Sequence, residues 1–192
     1  MKHILWIAAV AMCLTSCGNE GRIENTKELS REIKASQIKR VTNTQLVYSA
    51  DEWGKKIARI AEKSLTSEIA KDPSHAQAAC ADLSTMPVIA ALEKEYGVQV
   101  SLLGSADLKN PALAPKEREI LEAYQYSARS GATASDNLQQ LNDTLLVYNA
   151  PVTAGSAIRK TCLTAQDSTF AVWRLLFSKK EIIRKLDAKQ LK

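Results

Sequence analysis

The chain has 192 residues, 45% hydrophobic and 24% charged, with a formal net charge of +5 at pH 7. That length suits one ordinary domain with its own core. The mild positive excess is spread along the chain, without the concentrated basic stripe and aromatic partners of a nucleic-acid binder.

The first residues have the layout of a secretory signal: a basic start at Lys2 and His3, then an apolar run from Ile4 to Leu14. The run is well short of the ~20 residues a spanning helix needs, and no later segment could cross a bilayer. Leu14-Thr15-Ser16-Cys17 resembles the lipobox of bacterial lipoproteins. The resemblance implies acylation of Cys17, loss of residues 1–16, and attachment to a membrane by two or three acyl chains, each buried CH₂ contributing about 0.8 kcal/mol. Gly18 stands where an Asp would favour the inner membrane, so the outer membrane is the expected address. Removing 16 residues leaves 176 and takes away one cation, Lys2, and no acid, so the mature charge is +4.

Residues 18–25 read as a polar tether. From Thr26 the pattern turns helical: Leu29, Ile33 and Val41, then Trp53, Ile57, Ile60, Ala61, Leu65 and Ile69 recur at the spacing of one helix face. Ser49-Ala50-Asp51-Glu52 has the form of a capping box, so residues 26–71 read as one jointed helix or two helices. Asp72-Pro73 is a second helix start, a cap followed by Pro at N1. That helix carries Ala76, Ala79, Cys80 and Leu83. Pro87 opens a further turn ending at Gly97. Val98 to Leu102 alternates as a strand. A loop rich in Asn and Pro runs from Gly104 to Pro115, where a helix starts that stops at Gly131. Thr144–Tyr148 and Phe170–Phe177 are further strands, and Ser178-Lys179-Lys180-Glu181 opens a terminal helix. Helices first and strands later predict an α+β fold, with an antiparallel sheet covered on one side by long N-terminal helices. Residues 26–192 are expected to be a single domain.

Candidate catalytic groups are few. Once the signal is removed, His75 is the one histidine, in the first turn of a helix where an exposed side chain is the default. There is no Cys/His metal spacing, Gly-rich phosphate loop or HExxH. Asp82 and Glu93 read as surface groups. Trp53, Trp173, Tyr148 and Phe177 read as core, with a pocket lining as the alternative. The basic run Lys179, Lys180, Arg184, Lys185, Lys189 and Lys192 reads as a solvated helix face, with contact to anionic lipid head groups as the sharper alternative. No residue is assigned a catalytic or metal-binding role, and the chain is expected not to be an enzyme. Of the four cysteines, Cys13 leaves with the signal and Cys17 takes lipid. Cys80 and Cys162 remain, in a compartment where disulfides persist. A bridge between them would be worth at most about 4–5 kcal/mol on the chain-entropy view.

Three segments stand out together: Ala78–Ala81 around Cys80; Gly97–Leu102 followed by Asn110-Pro111-Ala112-Leu113-Ala114-Pro115; and Leu146–Pro151 followed by Lys160-Thr161-Cys162-Leu163-Thr164-Ala165-Gln166. In order and spacing they resemble exported, PAS-like c-type haem domains, the Tll-type haem-c family, over about residues 50–190. That family has a C-x-x-C-H attachment site. Aligned on Cys162, this chain has Ala165 for the second Cys and Gln166 for the His. A thioether and an axial ligand are therefore missing, and no cofactor is expected. The family's helix Cys, which lies at the haem, is kept as Cys80. The resemblance thus implies that Cys80 and Cys162 face one vestigial pocket, as a disulfide or as two buried thiols.

The expectation is an exported, membrane-anchored lipoprotein whose degenerate haem-c domain binds a small ligand or an envelope protein, or senses. Two alternatives stand beside it: a haem protein with non-covalent or single-thioether haem, for electron transfer or sensing, and a dithiol redox protein acting through Cys80 and Cys162.

Overall fold

A computed structural model describes residues 41–163 and 169–190 of the chain. The signal, Cys17 and the helical stripe from 26 to 40 lie outside the described residues, as do Ala165 and Gln166.

Helix α1 (Asn43–Lys71) runs without a joint for 29 residues. Its cap is Thr42, not Ser49: Thr42 Oγ1 accepts from the Gln45 N–H at 3.2 Å, and Gln45 Oε1 accepts from the Thr42 N–H at 2.9 Å. The Ser49 box fails because Ser49 lies on the buried face with Leu46, Ala50, Ile57, Ala61 and Leu65, so a helix start there would split that stripe. Asp72 caps helix α2 (Pro73–Ala81), accepting from the N–H groups of Ser74 and His75. A 3-10 turn (Leu83–Thr85) leads into helix α3 (Pro87–Tyr96). Gly97 ends α3 in the left-handed region at φ +62°, a conformation that favours glycine.

Strand β1 (Val98–Gly104) follows, then a 3-10 turn (Ser105–Lys109) inside the predicted loop, helix α4 (Pro115–Ser130), strands β2 (Asn137–Gln140) and β3 (Leu145–Pro151), helix α5 (Ala157–Cys162), strand β4 (Ala171–Ser178) and helix α6 (Lys179–Gln190). The protein is α+β. The sheet is antiparallel throughout, in the order β1-β4-β3-β2. No described helix is long and apolar enough to cross a membrane.

The sheet has two unlike faces. One carries Tyr148, Trp173, Leu175 and Phe177, all fully buried against α1 together with Ile57, Leu65 and Ile182. The other is not bare, which corrects the expectation of a sheet covered on one side. There Val172 and Leu103 meet Leu113, Leu121, Tyr124 and Phe170 in a smaller cluster beneath α4. Period-two alternation along β4 sends odd-numbered residues to the first face and Val172 and Arg174 to the second. The outer edge of β1 is capped: Glu93 Oε1 accepts from the Val100 N–H and Asp107 Oδ2 from the Gly104 N–H, each at 2.8 Å. Glu93 is therefore not the plain surface group expected; it ties α3 to β1. Asp82 is exposed and accepts from the N–H and hydroxyl of Ser84.

Candidate functional site

Cys80 lies in the last turn of α2 and Cys162 at the end of α5. The structure joins them as a disulfide, with the Cα atoms 5.3 Å apart. Each helix is positioned by its own short signals. Ala76 and Ala79 are small enough to seat α2 closely on α1. Ser156 caps α5 by accepting from the Arg159 N–H, and fully buried Ile158 anchors it. Both cysteines are half-buried and pack against the larger core.

The bond decides how well these residues fit a haem held in the family's manner. A thioether through Cys162 or a thiolate ligand from Cys80 needs a free sulfur, and here the two sulfurs are bonded to each other. The residues present therefore do not fit such a group while the bond is intact. The positions aligned with the family's second Cys and His fall in 164–168, outside the described residues.

His75 is exposed, and its Nδ1 lies 2.8 Å from Glu68 Oε1. Among the described residues, no three His, Cys, Asp or Glu are grouped to hold a metal ion. Trp173, Tyr148 and Phe177 are core, as expected. Trp53 is half-buried and packs edge-on to Tyr96, with ring centres 5.4 Å apart.

The face beneath α4 holds what the sequence reading did not single out. Glu117, at the third position of α4, is buried. Its Oε2 accepts from the Ala114 N–H at 3.0 Å, and its Oε1 accepts from Arg174 Nε at 2.7 Å. Arg174 is as well covered, with its side chain 11% exposed. A lone Arg in the apolar run of β4 was the available signal, since a charge at such a position requires a partner. Tyr124 of α4 donates to the Ser135 carbonyl at 2.8 Å. From the opposite face of the sheet, Tyr148 donates to Asp136 Oδ2. Burial, with the nearby Asp136 carboxylate adding to it, pushes both phenols well above the ordinary tyrosine range.

Two adjoining clefts open on this side, sharing Tyr124, Thr133 and Ala134. One, of about 430 Å³, runs between α4 and β2. The other, of about 530 Å³, lies past the end of α4 against Val152 and Phe170. Neither is lined by Cys80 or Cys162. Comparison of the chain with protein families, curated proteins and solved structures returns no match.

Proposed function

We propose that this chain is an exported lipoprotein, held at a membrane through acyl chains on Cys17, whose PAS-like α+β domain is a non-enzymatic module that binds a small ligand or an envelope partner. One observation carries the reading: Cys80 and Cys162 meet as a disulfide that staples α2 to α5. Bonds of this kind persist in exported proteins and are rare where thiols are kept reduced. The pairing agrees with a signal that directs the chain out of the cytoplasm, and with a haem-c ancestry in which both cysteines faced one site. The clefts beneath α4 offer room for a ligand, and two acidic groups nearby have structural partners: Glu117 has Arg174, and Asp136 has Tyr148.

The test is a thiol count on the exported, unfolded protein before and after reduction, paired with detergent phase partition of the wild type and Cys17→Ser. The expected result is a rise of two thiols on reduction, with the wild type in the detergent phase and Cys17→Ser in the aqueous phase. Two titratable thiols before reduction, or no change in partition, overturn the reading.

A second reading is favoured by the half-buried state of both cysteine residues. In it, the pair responds to the redox poise of the envelope. Reversible reduction at a potential close to that poise supports it; a bond that stays oxidised far below that potential removes it.

A further inference from the structure

The helix that carries Cys162 also carries part of a cleft wall. Helix α5 has six residues, too few to be stable alone, so its place depends on what ties it down. Ile158 and Cys162 stand one turn apart on the same helix face. Ile158 is fully buried in the larger core and is the one buried residue of α5. Cys162 packs against that core and is bonded to Cys80. Ala157 and Lys160 are exposed. The grip of the core on α5 is therefore chiefly one aliphatic side chain and one covalent bond. The other end of that bond is firm, because α2 is seated on α1 through buried Ala76 and Ala79.

Arg159, the residue after Ile158, turns to the other side. It lines the cleft of about 530 Å³, and its Nη2 donates to the Thr169 carbonyl at 2.6 Å. Thr169 leads into Phe170 and Ala171, and all three line the same cleft. The Ala171 carbonyl accepts in turn from the Val152 N–H at 2.8 Å, and Val152 is a lining residue at the end of β3. One short helix thus joins the disulfide to the cleft, with Cys162 at its last position and Arg159 a turn earlier. The cleft of about 430 Å³ takes no lining residue from α2 or α5, so the bond reaches the larger cleft through α5 and not the smaller one.

We propose that the Cys80–Cys162 disulfide holds the larger cleft in shape, and that its reduction releases α5, draws Arg159 off the Thr169 carbonyl and reshapes the cleft. The inference rests on the second reading above, in which the pair responds to the redox poise, and names what that response controls. The reductant is a dithiol. It gives two electrons and two protons to the bond, leaves Cys80 and Cys162 as thiols, and itself becomes a disulfide. Both thiols stay on the chain, so reoxidation restores the grip on α5.

The test is ¹H–¹⁵N NMR and amide hydrogen exchange on the intact protein, oxidised, then reduced with dithiothreitol, then reoxidised, with a thiol count at each stage. The Lys160 N–H, which donates to the Ser156 carbonyl within α5, should exchange at least about tenfold faster in the reduced protein. Thr169, Ala171 and Val152 should shift, while Gln139 in the smaller cleft and Ala61 in α1 keep their positions, and reoxidation should reverse every change. Arg159→Ala cuts the link between α5 and the cleft without touching the bond. Its reduction should still speed Lys160 exchange but move Thr169 and Ala171 less than in the wild type. Shifts confined to the neighbours of Cys80 and Cys162, unchanged Lys160 exchange, equal responses of Thr169 in wild type and Arg159→Ala, or loss of the whole folded spectrum on reduction (a structural staple only) overturns the proposal. Thiols that appear with an unchanged cleft strike this inference alone. A bond that dithiothreitol leaves closed removes the second reading together with it.

Discussion

The two faces of the sheet are built on opposite principles. Against α1 the sheet is apolar: Trp173, Tyr148, Phe177 and Leu175 are fully buried among aliphatic side chains, and a disulfide closes the helices α2 and α5 that flank α1. Beneath α4 the cluster is small, contains a buried ion pair and two asparagines, and opens into clefts. The first face supplies the non-directional driving force that holds the fold. On the second, each polar group must be matched in place. The larger apolar cluster lies on one side of the sheet, and the buried ion pair and the clefts lie on the other.

The sharpest way to break this contrast is at the ion pair. Arg174→Ala leaves the Glu117 carboxylate buried without its cation, a change expected to cost about 3–5 kcal/mol in urea unfolding. The double variant Glu117→Leu/Arg174→Met should return to within about 1 kcal/mol of the wild type, the shortfall being the lost cap at Ala114. A double variant as unstable as the single one would mean that the pair itself holds α4 down.

The apolar face is probed by Gly54→Ala. A Cβ at residue 54 would stand 2.4 Å from Tyr148 Cγ, so the ring must shift within a filled core. Overpacking should cost about 1–3 kcal/mol even though alanine favours a helix by roughly 1 kcal/mol. An unchanged denaturation midpoint would show that this face has more slack than its burial implies.

The smallest expected effect is an alkaline one, and each face contributes a phenol to it. Tyr148 and Tyr124 keep their protons in the folded state beyond the ordinary tyrosine pKa of about 10. Above that pH the unfolded chain releases protons that the folded one retains, so stability falls as pH rises. The loss between about pH 9 and about pH 11 should be smaller in Tyr124→Phe and in Tyr148→Phe than in the wild type. Equal losses in all three would place the alkaline transition elsewhere.

Much of the order of elements was legible in the sequence because its signals are local. Asp72-Pro73, Pro87, Gly97, Pro115 and Gly131 each mark a helix end through backbone chemistry that neighbours do not alter. The strands Val98–Gly104 and Ala171–Ser178 stand out through alternation and apolar content. The start of α1 was misplaced because two capping boxes compete in that stretch, and only packing excludes Ser49. Strand β2 went unread because Asn137-Leu138-Gln139-Gln140 has little strand preference of its own and is held by its pairing with β3. The Asx turn at Asn142, whose Oδ1 accepts from the Thr144 and Leu145 N–H groups, was the available clue to that hairpin. Helix α5 has six residues, too few for a periodic stripe. The pairing of Asn137 with Asn149 could not be read at all: an Asn in a strand becomes distinctive only when its cross-strand partner is known.

The carboxylates of Glu93 and Asp107 along β1 reach beyond this one molecule. They occupy N–H groups that another strand would need, and so block growth of the sheet from that side. At the far end of the sheet, Lys116 Nζ donates to the Gln140 carbonyl at 2.8 Å, so the edge of β2 is engaged as well. Both margins of the sheet thus engage backbone groups with side chains of the same chain, which works against edge-to-edge pairing of copies.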